Sequence, residues 1–401
     1  MPSPAPAKSY SPEFRASLFH ASVYLSNGIL AAYLAPWMTS KGLTPEQIGI
    51  VNAAPIFLVL MSTVFIGRVA DRASDWRIVI IVLAAIAALT SFGFIGISGF
   101  WAVLFVFTVC STPINALLPV LDAATLHLTQ RRGTQFASVR VWATVGYVAA
   151  AALGGVIIGW LGGVAFVPLF IGACLVRAAL ALLLPRFRAD DYVPPQSAVS
   201  GKGLREFLVP WFALPCIAFA LINATHYFLV FMAALIWKAE GVPEAYFGPL
   251  IAYSAFGEAV MMFLWPRLNL KVSARMLLVI AGLVGVFRYV AMAFSPSLPL
   301  LFALQTLHAI TYPFAYFGIV HFVANWTRDD NAAEGQSFAF MLSQGFAVAT
   351  FLGFGVLVQT MGGGTFFIAA AMCFVAVGLA LLSLRLMPVH GHHSAEAVGQ
   401  R

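Results

Sequence analysis

The chain has 401 residues, of which 61% are hydrophobic and 9% charged, with a formal net charge of +7 and a mean hydropathy of +0.91. Soluble domains carry about 25% charged residues and cannot bury this much apolar surface in a core, so a soluble enzyme and a soluble nucleic-acid-binding protein are both excluded. The composition is that of an integral membrane protein.

Apolar runs of about 20 residues, enough to cross a bilayer as a helix, occur at about residues 14–38, 46–67, 77–96, 100–127, 135–160, 164–185, 207–237, 245–266, 274–294, 298–324, 336–359 and 363–387. Ten-residue segments of alternating polarity, which a spanning β-barrel requires, do not occur. The first run is too long for a signal-peptide core and no small-residue cleavage site follows it, so it is expected to be retained. Seventeen of the 22 Lys and Arg residues fall on one side of these spans, against Lys41 and Lys238 on the other and Arg140, Arg177 and Arg288 inside spans. By the positive-inside rule both termini and the 186–206 loop are expected in the cytoplasm of a bacterial-type inner membrane. The basic balance thus reports topology, and nucleic acid is not an expected partner.

In chain order the expected organisation is a cytoplasmic tail (1–13), a six-helix bundle (14–185), a Pro/Ser/Gly-containing linker (186–206), a second six-helix bundle (207–387) and a cytoplasmic tail (388–401). The halves repeat at an offset of 199 residues: Gly42 matches Gly241, Gly49 matches Gly248, Gly146 matches Gly345 and Gly154 matches Gly353. Small residues permit close helix approach, so keeping their positions keeps the packing. Each half has an even number of spans, so the repeats are parallel, with their pseudo-two-fold axis along the membrane normal. Cys110, Cys174, Cys216 and Cys373 lie in spans at unrelated spacings and suggest neither a metal site nor a disulfide framework. His390, His392 and His393 read as a solvated tail or a weak metal-binding tract.

Between spans two and three stands Gly67-Arg68-Val69-Ala70-Asp71-Arg72, followed by Arg77. Gly67 allows two helices to touch and Asp71 can bond a basic group across the interface, so Gly67, Asp71 and Arg72 are expected to form a conformational latch; the alternative is a solvated basic loop. The second-half copy, Pro266-Arg267-Leu268-Asn269-Leu270-Lys271, lacks the acid, so a latch would be asymmetric.

The spans themselves carry charge. Asp122 lies in span four, Arg140 in span five, Glu258 in span eight and Arg288 in span nine, with His308 in span ten. Each charge near the bilayer centre costs roughly 3 kcal/mol on the most lenient insertion scale, so such residues face a cavity, find a partner or do work. Asp122 and Arg140 read as substrate ligands or as a structural ion pair, and Arg177 as a side chain that snorkels to the cytoplasmic interface. Tyr24, Asn27, Trp142, Tyr147, His226 and Tyr227 are candidate cavity residues, while His20, Gln336 and Gln344 stay unassigned and His321 reads as packing.

The 67–77 motif resembles the cytoplasmic signature of the major facilitator superfamily, and the placement of Asp122, Arg140, Glu258, Arg288 and His308 is similar to its lactose permease branch. Gly42-Leu43-Thr44-Pro45-Glu46-Gln47-Ile48-Gly49, Leu118-Pro119-Val120-Leu121-Asp122-Ala123, Val139-Arg140-Val141-Trp142, His226, Ser273-Ala274-Arg275-Met276-Leu277-Leu278, Gln305-Thr306-Leu307-His308 and His321 resemble the phenylpropionate permease group, over about residues 16–387. The resemblance implies an all-α fold of twelve transmembrane helices in two pseudo-symmetric bundles, and secondary active transport by alternating access. Where the lactose permease branch has a carboxylate linked to proton movement, one turn after the span-ten histidine, this chain has Thr311, which cannot titrate near neutral pH. Asp122 and Glu258 are the only carboxylates within the spans, and Glu258, with Arg288 and His308, is the expected proton-coupling group.

Arginines in an aromatic-rich cavity suit a ligand with a carboxylate and an apolar body, so symport of a small aromatic acid with protons is the first functional expectation. A sugar or nucleoside symporter is the alternative within uptake, and efflux by antiport stays open. A membrane enzyme would need a nucleophile, a metal cluster or a phosphate loop, none of which is suggested, and a membrane sensor would need a larger output domain. No cofactor is expected; the partners are the solute, protons and the bilayer, and the chain is expected to be a monomer.

Overall fold

In a computed structural model the protein is all-helical, and the structure describes residues 10–188, 207–268, 270–327 and 332–386, with side chains described except at 63–65, 67, 68, 71, 137, 266 and 332–334. The first half comprises α1 (Pro12–Ser40), α2 (Pro45–Arg72), α3 (Trp76–Ser91), α4 (Phe100–Arg132), α5 (Phe136–Leu161) and α6 (Phe166–Ala181). The second comprises α7 (Pro210–Ala239), α8 (Phe247–Leu268), α9 (Ala274–Met292), α10 (Leu298–Thr306), α11 (His308–Trp326), α12 (Ala332–Met361) and α13 (Thr365–Arg385). The expected tenth span is therefore not one continuous helix but two, α10 and α11, separated at Leu307. There the ladder tightens: Leu307 N–H donates to Leu304 C=O at 3.3 Å, and the Thr306 hydroxyl donates to Ala303 C=O at 2.6 Å. A 3-10 turn inside a long helix often marks a hinge, and this one lies immediately before His308.

Local chemistry starts several helices. Ser11 caps α1 by accepting from Phe14 N–H at 3.1 Å, with Pro12 in the first turn where its missing donor costs nothing. A capping box opens α2: Thr44 Oγ1 accepts from Gln47 N–H at 3.3 Å, and the Gln47 side chain accepts from Thr44 N–H at 3.1 Å. The repeat survives in backbone detail. Gly42 after α1 and Gly241 after α7 hold left-handed φ values of 85° and 84°, which a side chain rarely adopts.

Packing repeats as well. Helix α1 packs on α5 and α6 as α7 packs on α12 and α13, and α3 packs on α4 and α6 as α9 packs on α11 and α13. Between the halves, α2 meets α12 and α5 meets α8, a pair of contacts related by the pseudo-two-fold. Repeat-related glycines make both approaches possible: a methyl at Gly49 would strike the Phe351 carbonyl on α12, and one at Gly248 would strike the Ala151 carbonyl on α5. Both crossings lie at the end of the bundle remote from the chain termini.

The apolar core has the same asymmetry. One buried cluster crosses both halves at the remote end, joining Tyr33, Leu34 and Trp37 to Phe228, Trp237 and Phe351. Towards the termini it divides into two clusters, one built on Phe19, Leu121 and Leu128, the other on Phe212, Ile319 and Phe322. A space between the halves therefore opens towards the end that carries the termini. At that end the first bundle extends further than expected: Phe187 and Arg188, read from sequence as linker, are buried. Asp75 explains their capture, its Oδ2 accepting from the N–H groups of Phe187 at 3.0 Å and Arg188 at 3.2 Å. The surroundings of Gly67 and the side chain of Asp71, both of the expected latch, are not among what the structure describes, and His390, His392 and His393 lie outside the described residues; Arg72 is exposed at the end of α2.

Candidate functional site

A cavity of about 340 Å³ lies between the halves, at the small end of the roughly 300–1,000 Å³ typical of ligand pockets. The first half contributes Tyr24, Asn27 and Leu30 from α1, Asn52, Pro55 and Ile56 from α2, Phe107, Ser111, Ile114, Asn115 and Leu118 from α4, and Tyr147 from α5. The second contributes Asn223, His226, Tyr227, Val230 and Phe231 from α7, Glu258 from α8, His308 and Tyr312 from α11, and Gln344 and Phe351 from α12. Of the expected site residues, Tyr24, Asn27, Tyr147, His226, Tyr227, Glu258 and His308 are brought together here. Trp142 is not: it is 47% exposed on α5 and does not line the cavity. Its neighbours Val141 and Val145 are exposed as well, so this face of α5 points away from the site.

On the second-half wall six side chains form a hydrogen-bonded network whose polarity is set by the donors. Arg288 is fully buried behind the lining, and a guanidinium can only donate. Its Nη1 lies 3.2 Å from His308 Nδ1, which must therefore accept; the His308 proton sits on Nε2, which donates to Glu258 Oε2 at 3.2 Å. Arg288 Nη2 donates to Gln305 Oε1, and Nη1 also reaches Thr311 Oγ1 at 3.5 Å. His226 is the mirror case. Its Nδ1 faces the Ile222 carbonyl at 2.8 Å and must donate, so Nε2 accepts the Thr311 hydroxyl proton at 2.9 Å. Thr311, which replaces a carboxylate by the resemblance, thus joins Arg288 to His226.

Asp122 and Arg140 lie beyond the cavity lining, Asp122 one helical turn past Leu118 on α4 towards the termini. Arg140 Nε is 3.3 Å from Asp122 Oδ1, Nη2 donates to the Tyr24 hydroxyl at 2.6 Å, and the guanidinium carbon lies 4.7 Å from the Tyr24 ring centroid. The two side chains keep 31% and 42% of their exposure. Ion pairs so open contribute roughly 0–1 kcal/mol, so a purely structural role explains the pair poorly. Tyr24 connects it to the cavity.

Several cavity residues were not singled out from sequence. Asn52, Asn115, Asn223 and Ser111 are lining groups, as is Gln344, which the sequence left unassigned, and Gln305 anchors Arg288. Their signal was present: Ser111 and Asn115 are one turn apart on α4, as Asn223 and Tyr227 are on α7, so polar groups share one helix face within apolar spans. Arg177 corrects another expectation. It does not snorkel but is fully buried, donating to Ser26 Oγ at 3.0 Å. His20 is also buried, with Nε2 3.0 Å from Thr125 Oγ1. Gln336 donates to Val320 C=O at 3.0 Å, and His321, 6.3 Å from the Phe317 ring, packs as expected. No group of three metal-ligating side chains occurs among the described residues.

A sequence model of the MFS_1 like family matches residues 16–378. The chain belongs to this family of membrane transporters. Similar curated proteins include a probable 3-phenylpropionic acid transporter of Escherichia coli, 25% identical over 377 residues, which cover 90% of this chain and 96% of that one. A maltose permease of Geobacillus stearothermophilus is 26% identical over 294 residues, 70% of this chain and 71% of that protein. Among solved structures, a mutant of the nucleoside transporter NupG superposes with a TM-score of 0.81 at 16% identity, over 94% of this chain and all of that one. A bacterial homologue of the lysosomal transporter Spinster, in an inward-facing and occupied conformation, gives 0.68 at 16% identity over 95% and 98% of the two chains. At such identities the structural matches establish the fold. As an MFS_1 like transporter the chain is a multi-pass membrane protein rather than an enzyme, and a cavity enclosed by both halves is where alternating access requires a solute site.

Proposed function

We propose that the protein is a proton-coupled symporter of a small ring-bearing carboxylic acid, drawn from the family's general mechanism and specified by the cavity wall. The observation that carries it is Glu258: a carboxyl group in the lining, held by a histidine whose other nitrogen is occupied by a buried arginine. Because Arg288 donates to His308 Nδ1, His308 cannot take a proton there without losing that bond, so the proton is exchanged at Glu258. An anion entering the cavity is repelled by ionised Glu258 and accepted when Glu258 is protonated. Coupling then follows from electrostatics, since anion and proton enter together.

The solute body is matched by Phe107, Tyr147, Tyr227, Phe231, Tyr312 and Phe351, and its carboxylate by amide donors of Asn27, Asn52, Asn115 and Asn223, with Arg140 one layer towards the mouth. The relative named for 3-phenylpropionic acid supports this class. A neutral sugar or nucleoside is the second reading, favoured by the absence of any Lys or Arg among the described lining residues and by the engagement of Arg140 with Asp122 and Tyr24. With both termini cytoplasmic by the positive-inside rule, the present state is inward-open in an inner membrane.

The test is uptake into proteoliposomes under an imposed pH gradient, with labelled phenylpropionate, a nucleoside and maltose. Gradient-driven accumulation of the acid alone is expected. Accumulation of only the nucleoside or sugar moves the assignment to the second reading, and uptake indifferent to the gradient removes proton coupling. Glu258→Gln is expected to retain solute counterflow and lose gradient-driven accumulation; equal loss of both would make Glu258 a solute ligand instead.

A further inference from the structure

The polar atoms that the cavity wall presents are those its residues have not already used. Asn52 on α2 and Asn115 on α4 each donate an Nδ2 hydrogen to a carbonyl one turn back on their own helix, Ile48 C=O at 2.9 Å and Ser111 C=O at 3.0 Å. A carbonyl only accepts, so each amide is fixed with its nitrogen on the helix, and its Oδ1 takes no hydrogen bond from the described residues. Both residues line the cavity, and neither oxygen is sealed from it. One turn before Asn115, Ser111 lines the cavity at 2% exposure, and its Oγ has no hydrogen-bond partner among the described residues. Along α2 and α4 the lining therefore offers three oxygens set among Pro55, Ile56, Phe107, Ile114 and Leu118. Gln344 on the second-half wall has the opposite polarity. Its Oε1 accepts from the Tyr227 hydroxyl at 2.9 Å, which leaves the amino group for the cavity.

While the mouth is open, water serves the three oxygens. When the halves close around a solute, the solute must serve them, because an acceptor buried without a donor is strongly unfavourable. A carboxylate has no proton to give and repels an amide oxygen, and a bare ring gives nothing. We propose, resting on the acid reading above, that the solute is an aryl carboxylic acid with a hydroxyl on its ring, the hydroxyl donating to the Asn52, Ser111 or Asn115 oxygen. A hydroxyl also accepts, so it serves the second amide hydrogen of the same asparagine. The carboxylate then falls to amides elsewhere in the lining, the Gln344 amino group among them. Three oxygens suit one or two ring hydroxyls; a polyol would set most of its own hydroxyls against Phe107, Ile114 and Leu118.

Titration calorimetry on the purified full chain compares phenylpropionate, hydroxyphenylpropionate in its meta and para forms, and the matching methoxy ethers, which keep the oxygen and lose the proton. The better hydroxyl acid is expected to bind about tenfold or more tighter than phenylpropionate, because a site built to hydrogen-bond a hydroxyl rejects the analogue without one. The ethers are expected to bind no tighter than phenylpropionate. In Asn115→Leu the ratio of hydroxyl-acid to phenylpropionate affinity is expected to fall towards one. Equal affinity for the hydroxyl and unsubstituted acids, or ethers that bind as tightly as the hydroxyl acids, overturns the proposal and leaves the acid reading standing. Binding of none of these acids removes the acid reading and the proposal with it. Should Asn115→Leu fail to fold, the ether comparison on the unmodified chain decides alone.

Discussion

Tyr33→Phe isolates one hydrogen bond between the halves. The Tyr33 hydroxyl on α1 accepts from Gly248 N–H at 2.8 Å, one of the first-turn donors of α8 that no helical carbonyl can satisfy. Tyr33 is 2% exposed and Gly248 is buried, so water does not replace the lost oxygen. An orphaned buried donor costs about 1–3 kcal/mol, and the bond requires α1 and α8 to be packed together at the remote end. The variant should therefore shift the equilibrium between the sealed and open states of that end by roughly 5- to 150-fold towards open. Phenylalanine keeps the ring that fills the space beside Gly154, so packing loss does not confuse the result. The assay places a reporter cysteine at Leu30, in the cavity wall, and measures its reaction with a membrane-impermeant maleimide added from the face opposite the termini. All four native cysteines are buried, which keeps the background low. A rise in rate within that range is expected; an unchanged rate with a lower unfolding temperature would mean that the bond supports the fold as a whole and does not bias one state.

Three other outcomes test different parts of the structure. Gly248→Ala sets a methyl against the Ala151 carbonyl, where backbone cannot yield, so the Leu30 reporter should again become more reactive from the remote face while unfolding temperature falls little. Arg288→Lys replaces two separated nitrogens, one on Gln305 and one on His308 and Thr311, by a single point donor that does not span both; losing one charged hydrogen bond costs about 1.5–3 kcal/mol, so thermal unfolding should move down and gradient-driven accumulation should fail together. Arg140→Lys retains charge near Asp122 but not the planar fork that also reaches Tyr24, and solute affinity measured by equilibrium binding should drop about tenfold or more, with unfolding little changed because the pair is partly exposed.

The extent to which the site could be read beforehand follows from what each residue's position encodes. Glu258, Arg288 and His308 were legible as a group because charge within an apolar run is costly and each stands on a different span. Their order was not legible. Only the fold sets Arg288 behind His308 and His308 behind Glu258, and thereby the side on which the imidazole proton sits. Arg177 was misread for the same reason: sequence gives a residue's depth along its span but not the direction in which it points, and this side chain points into the bundle towards Ser26. Trp142 failed in the opposite sense, sharing a helix with Tyr147 but not its face. The break at Leu307 had no compositional mark, since Leu and Thr continue helices readily and the tight turn depends on local backbone bonds.

From sequence alone came the twelve spans, their division into two halves, the 199-residue repeat and the expected orientation. These rest on hydrophobic run length, charge asymmetry and glycine spacing, quantities that every residue carries irrespective of its neighbours. Tertiary structure alone decided which end is sealed, which polar residues meet in one cavity and which acceptors surround the buried Arg177 and Arg288. Those are contacts between helices far apart in the chain, set by the rotation of each helix about its axis and by the few glycine crossings where two backbones touch.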